Sequence, residues 1–157
     1  MSNIAELVIP QTAALPLRWN SGKPRVLMIT SRETRRWVIP KGWLMKGKKP
    51  WETARIEACE EAGALGRIHA KPIGTYHYVK MLPRGESCRC EVHVYPLVVE
   101  KLKKNWRERG ERTRRWFSAK KAAKLVSEPE LSTLLLDIAG SRGALRCKCQ
   151  AVARCAG

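Results

Sequence analysis

A chain of 157 residues, 44% hydrophobic and 29% charged, has the length and composition of one globular domain and excludes wholesale disorder. Thirty-one Lys and Arg against 14 Asp and Glu give a formal net charge of +17, which favours polyanionic partners: nucleic acid, an anionic membrane or a small, densely phosphorylated substrate. No apolar run approaches the roughly 18 residues of a membrane span, and the first six residues lack the basic start of a secretory signal, so a soluble, cytoplasmic protein is expected.

In chain order, residues 11–19 and 25–31 are expected strands, joined by a turn at 20–24. Residues 37–40, Trp-Val-Ile-Pro, read as a short apolar strand closed by proline, and a loop rich in Gly and Lys covers 41–49. Pro50 suits the first turn of a helix to about residue 62, and Gly63 stops it. Residues 67–80 are expected to be extended, with His77 among alternating apolar positions; 81–86 is a hairpin connection. Residues 88–100 form a long strand carrying Val92, Val94, Pro96 and Val98 on one face, with His93 between them. Both histidines are expected to pack on a strand face. A short strand at 114–117 and helices at 119–125 and 128–139 complete the pattern, which predicts an α+β domain with a mixed sheet. The domain spans 1–140, and the small, polar, basic residues 141–157 are expected to be a flexible tail. Cys59, Cys88, Cys90, Cys147, Cys149 and Cys155 contain no CxxC pair and read as reduced thiols.

The chemistry concentrates in residues 40–63. On a helix, Glu57, Glu60 and Glu61 are i, i+3 and i+4, so all three project from one face. Like charges at that spacing repel, and a hard divalent cation such as Mg²⁺ is the natural neutraliser because it takes one or two carboxylates plus water and phosphate oxygens.

This segment resembles the Nudix box, G-x5-E-x7-R-E-U-x-E-E-x-G-U, with U a bulky aliphatic. Gly42, Glu57, Glu60, Glu61 and Gly63 fall on its positions, Ala58 and Ala64 are small versions of its U residues, and Lys48 and Ile56 replace its loop glutamate and helix arginine. Residues 35–42, 97–106 and 114–117 extend the resemblance towards Nudix hydrolases of diphosphoinositol polyphosphates and diadenosine polyphosphates. The resemblance implies a Nudix-like α/β/α sandwich and Mg²⁺- or Mn²⁺-dependent hydrolysis of a diphosphate linkage by water attack on phosphorus. It assigns Glu57, Glu60 and Glu61 to catalysis and, with Gly42, to the metal; Glu60 is the third ligand or the general base. A small polyphosphorylated substrate then accounts for Arg35, Arg36 and Lys41 beside the box, with Arg18 on the preceding strand and Trp43 in the loop as further contacts. Residues 101–124, with 11 basic residues and two acids, form a second cationic surface. Two alternatives stay open: an RNA 5′-pyrophosphohydrolase, and a non-catalytic Nudix-like module binding nucleotides or nucleic acid, the latter motivated by Lys48 and Ile56. A membrane partner is not expected.

Overall fold

The first strand, β1 (Val8–Asn20), reverses through Ser21 and Gly22 into β2 (Lys23–Thr30). Both turn residues have positive φ (52° and 77°), the backbone twist that suits a two-residue hairpin. In this computed structural model, which describes residues 7–141, eight strands form one mixed sheet. β3 (Trp37–Val38) and β4 (Lys41–Trp43) are short; β5 (Ala64–Ile68) and β6 (Gly74–Met81) precede the long β7 (Ser87–Leu102), and β8 (Arg114–Ser118) is last. β1 and β7 run parallel at the centre, and every other pairing is antiparallel.

Three helices cover the two faces: α1 (Pro50–Ala62), α2 (Ala119–Leu125) and α3 (Pro129–Ser141). Ala14, Leu27 and Ile29 face α1, whose buried Ala54, Ala58 and Ala62 recur every fourth residue and let the helix lie close to the sheet. Leu15, Leu17, Val26 and Met28 point the other way, into a core closed by Leu131, Leu135 and Ile138 of α3. With both faces covered, Gln11–Leu17 is buried at every residue instead of alternating. The α+β layering expected from the element order is therefore present.

Three expectations change. Lys41–Trp43, expected in a loop, pairs as β4 with Gln11–Ala13; its strand conformation is imposed by β1, because Lys-Gly-Trp has no apolar alternation of its own. The extended stretch at 67–80 is two strands, β5 on Leu97–Leu102 and β6 on Ser87–Val94 of β7. The break falls opposite Pro96, which has no N–H to donate; its carbonyl accepts from the His69 N–H at 2.9 Å. Third, His77 and His93 sit on strands as expected, but both also pair with carboxylates. His77 Nδ1 lies 3.0 Å from Glu130 Oε1 and its Nε2 3.2 Å from Glu91 Oε2, while His93 Nε2 is 3.0 Å from the other Glu91 oxygen. The hydrogen bonds to Glu130 and Glu91 raise the His77 pKa, and the network ties the start of α3 to β6 and β7.

Cys88 and Cys90 are buried on one face of β7 with sulfurs 3.9 Å apart, and Cys59 is also free. The tail expected at 141–157, with Cys147, Cys149 and Cys155, lies outside the described residues apart from Ser141, which ends α3. Among the described residues no helix is long and apolar enough to cross a membrane.

Candidate active site

Helix α1 begins as its sequence dictates. Pro50 occupies its first turn, and the Lys49 N–H donates to the Glu52 carboxylate at 3.1 Å, covering one of the helix's open ends. It ends at Gly63, whose left-handed backbone (φ 63°) donates its N–H to the Cys59 carbonyl at 3.0 Å. A side chain at Gly63 would also strike Arg114 and Trp106.

The helix C-terminus carries no basic residue of its own, and the segment between β7 and β8 supplies the partners. Arg114 donates to the Ala62 carbonyl at 2.8 Å, the Trp106 indole to the Glu61 carbonyl at 3.2 Å, and the Lys103 N–H to the Gly63 carbonyl at 2.8 Å. The Arg114 guanidinium also lies 3.8 Å from the Trp106 ring centroid. These contacts satisfy orphan carbonyls and place positive charge at the negative end of the helix.

The same segment reaches the acidic face. Arg107 Nη1 is 3.1 Å from Glu60 Oε1. Arg112 Nη2 lies 3.7 Å from Glu61 Oε2 and 3.1 Å from Glu108 Oε1, and its Nη1 donates to the Thr30 carbonyl at 3.2 Å. Glu61 accepts from the Lys41 N–H at 3.2 Å and is 5% exposed. Glu57 packs against Gly42 so closely that any Cβ there would overlap its carboxyl. Gly42 thus makes room for Glu57.

Burial raises the pKa of both inner carboxyls to about 7. For Glu57 the neighbouring Glu60 and Glu108 add to the effect; for Glu61 the Arg112 and Lys41 charges oppose it. Burial likewise lowers the pKa of Lys41, with Glu61 pulling it back, and the Lys41 ammonium sits 5.0 Å from the Tyr78 ring centroid.

These residues open onto a cleft of about 720 Å³. It is lined by six acids (Glu33, Glu57, Glu60, Glu61, Glu108, Glu111) and six cations (Arg32, Arg36, Lys41, Lys80, Arg107, Arg112), so the +17 excess lies elsewhere on the chain. Exposed Trp43, Val79 and Met81 form an apolar stretch of its lining, with Lys80 Nζ 5.1 Å from the Trp43 ring centroid.

Of the residues expected at the site, Glu57, Glu60, Glu61, Gly42, Arg36, Lys41 and Trp43 come together here. Arg35 instead donates to the Glu111 carbonyl at 3.2 Å, and Arg18 lies over Trp116 at 4.2 Å; neither lines the cleft. Lys48 is exposed in a turn whose N–H donates to the Met45 carbonyl. Sequence reasoning missed Arg107, Glu108, Glu111 and Arg112. Their signal was the pair of acids inside an otherwise basic run.

The donor set suits a hard cation, since every candidate ligand is an oxygen: the carboxylates of Glu57, Glu60 and Glu61 and the Gly42 carbonyl. As the side chains stand, Glu60 is held by Arg107 and Glu61 by Arg112, and no three His, Cys, Asp or Glu side chains among the described residues converge closely enough to hold a metal. The Glu57 carboxylate makes no hydrogen bond or ion pair among the described residues. The pKa shifts give a test that needs no substrate. Groups whose folded pKa is raised stabilise fully below their unfolded pKa, and that contribution is lost as pH rises to about 7. For Glu61 the swing is on the order of 3 kcal/mol. The metal-free protein is expected to lose Tm between about pH 5 and pH 8, less steeply as Glu61→Gln, and Mg²⁺ is expected to raise Tm more at the higher pH. Equal Mg²⁺ gains at both ends, measured by calorimetry, would contradict a cation on these carboxylates.

Comparison with known proteins bears on the family and the fold. Residues 9–136 match the model of the NUDIX domain. Nudix hydrolase 12, mitochondrial, of Arabidopsis thaliana is 33% identical over 106 residues, covering 66% of this chain and 52% of that protein. The human diphosphoinositol polyphosphate phosphohydrolase 3-alpha is 27% identical over 103 residues, 64% of this chain and 58% of that one. The chain thus spans little more than half the length of these relatives. In fold it is similar to the Ap4A hydrolase of C. elegans, with a TM-score of 0.59 at 20% identity over 82% of this chain and 94% of that one. The chain belongs to the NUDIX domain family.

Proposed function

We propose that the cleft hydrolyses a diphosphate linkage in a polyphosphorylated metabolite of the diadenosine polyphosphate or diphosphoinositol polyphosphate type. The observation that carries this reading is that Glu57, Glu60 and Glu61 line one cleft together with Arg36, Lys41, Arg107 and Arg112. Glu57, Glu60 and Glu61, with the Gly42 carbonyl, would hold Mg²⁺ or Mn²⁺; the missing side chain of Gly42 also leaves space for Glu57. A divalent cation bound there supplies charge stabilisation for the diphosphate oxygens and acidifies the attacking water. With Glu60 acting as a ligand, the exposed Arg107 guanidinium that now pairs with it would be available to phosphate oxygens. Arg112 stays between Glu61 and Glu108 and fixes the direction of the Glu61 carboxylate.

The apolar stretch of the cleft favours the nucleotide type. Exposed Trp43, Val79 and Met81 offer an aromatic base a contact surface that a diphosphoinositol ring, which carries no base, does not use. Stacking of a base on one aromatic side chain contributes about 1–3 kcal/mol. Steady-state kinetics on a panel of diadenosine polyphosphates, diphosphoinositols, nucleoside triphosphates and triphosphorylated RNA, each with Mg²⁺ and Mn²⁺, test both points. Trp43→Ala is expected to raise KM about tenfold or more for a nucleotide and to leave a diphosphoinositol unchanged. An unchanged KM for nucleotides would remove Trp43 from the substrate site. Preferred cleavage of RNA ends would replace the small-metabolite reading.

A further inference from the structure

Arg18 of β1 and Arg25 of β2 are paired directly across the hairpin. Opposed residues in an antiparallel pair share one face with Cβ atoms about 5 Å apart, where like charges destabilise. Nothing among the described residues neutralises them: neither arginine makes a hydrogen bond or ion pair, and the Arg18 guanidinium rests 4.2 Å from the ring centroid of Trp116.

β8 brings that ring to the same face. Its register sets Trp116 opposite Leu27 and Ser118 opposite Arg25, so Arg18, Arg25 and Trp116 cluster at the hairpin end of the sheet. Within the cluster, Arg25 Nε and Trp116 Nε1 are buried donors without an acceptor. Buried polar groups are nearly always paired, so these two donors, one of them on an arginine that faces Arg18, describe a three-residue cluster suited to an anion. Lys23 at the same hairpin end adds a further exposed charge.

The cluster lies away from the cleft. Gln11 lines the cleft, and Arg18 follows it seven residues along the same strand, about 23 Å at the usual strand rise. We propose that Arg18, Arg25 and Trp116 form a second binding site, outside the catalytic cleft, for a phosphate monoester. The choice of group follows from charge and donor count. A monoester carries nearly two negative charges and three acceptor oxygens, which match two guanidinium groups and an indole N–H; a phosphodiester offers one charge and two free oxygens. Arginine also takes up phosphate oxygens two at a time, as a lysine pair cannot.

The full chain, titrated with inorganic phosphate, a nucleoside monophosphate and dimethyl phosphate at constant ionic strength, tests the site through the Trp116 indole and Arg25 Nε–H signals in ¹H–¹⁵N spectra. Inorganic phosphate and the nucleotide are expected to shift both signals saturably, with dimethyl phosphate at least tenfold weaker. A response to the nucleotide but not to inorganic phosphate assigns the ester group to the ligand; the reverse assigns free phosphate. Arg18→Gln and Arg25→Gln are expected to weaken the response at least tenfold while raising Tm in phosphate-free buffer, because each removes the opposed charges. Arg115→Gln, an exposed cation on the other face of β8, is expected to change neither. Unshifted signals would overturn the site. So would shifts that dimethyl phosphate matches, or that survive both arginine substitutions, since these report only general attraction to a basic surface.

Discussion

Glu57→Gln and Glu61→Gln are each expected to lower turnover by about a thousandfold or more while leaving the metal-free fold intact or more stable. The loss follows from removing preorganised charge where the diphosphate reacts; one electrostatic contact of this kind is worth about 3–4 kcal/mol of barrier. The gain in stability follows from the same burial that raises both pKa values: a neutral amide in either place ends the cost of holding an ionised carboxylate there. Glu60→Gln removes a more exposed group that now pairs with Arg107, so its effect on folding is expected to be small and its effect on turnover large. Parallel measurement of kcat and of urea unfolding separates these outcomes. Near-normal turnover in both the Glu57 and Glu61 variants would remove the α1 face from the chemistry.

Arg112→Met is expected to destabilise the metal-free protein by about 3–5 kcal/mol near neutral pH, because Glu61 and Glu108 lose the one guanidinium that bridges them in a buried setting. The Glu61 pKa rises further without that charge, so the acid limb of the pH–rate profile is expected to move to higher pH. Adding Glu108→Gln to Arg112→Met is expected to recover part of the stability, giving a non-additive cycle. A change below about 1 kcal/mol with an unshifted pH profile would mean that Arg112 only fills space.

The cation beside the acidic face is the part of the site that local sequence could not show. Ile56 stands where the Nudix box has its arginine, and nothing near it in sequence announces a cation for Glu61. The cation that does pair with Glu61 is Arg112, 51 residues beyond it, in a run that looks like an ordinary solvated basic surface. Its role depends on the β7–β8 segment docking on the end of α1 through Trp106, Lys103 and Arg114, and those contacts are all long-range. The acidic face itself was legible, because spacing alone puts Glu57, Glu60 and Glu61 together on any helix and Pro50 and Gly63 mark its ends. The same limits apply in the sheet. β7 was legible from its alternating valines, whereas β4 was not, since Lys41–Trp43 becomes a strand only by pairing with β1. The carboxylate partners of His77 were not legible, because alternation places it on a strand face but cannot show a glutamate brought in by α3.

Titration of Mn²⁺ into ¹⁵N-labelled protein, read as paramagnetic broadening of backbone amides and indole N–H signals, tests the metal site most directly. The expected result is saturable broadening centred on Gly42, residues 57–63 and the Trp106 indole, abolished in a protein carrying both Glu57→Gln and Glu61→Gln. Broadening centred instead on His77, Glu91 and His93, or unchanged by the two substitutions, would contradict a divalent cation on α1.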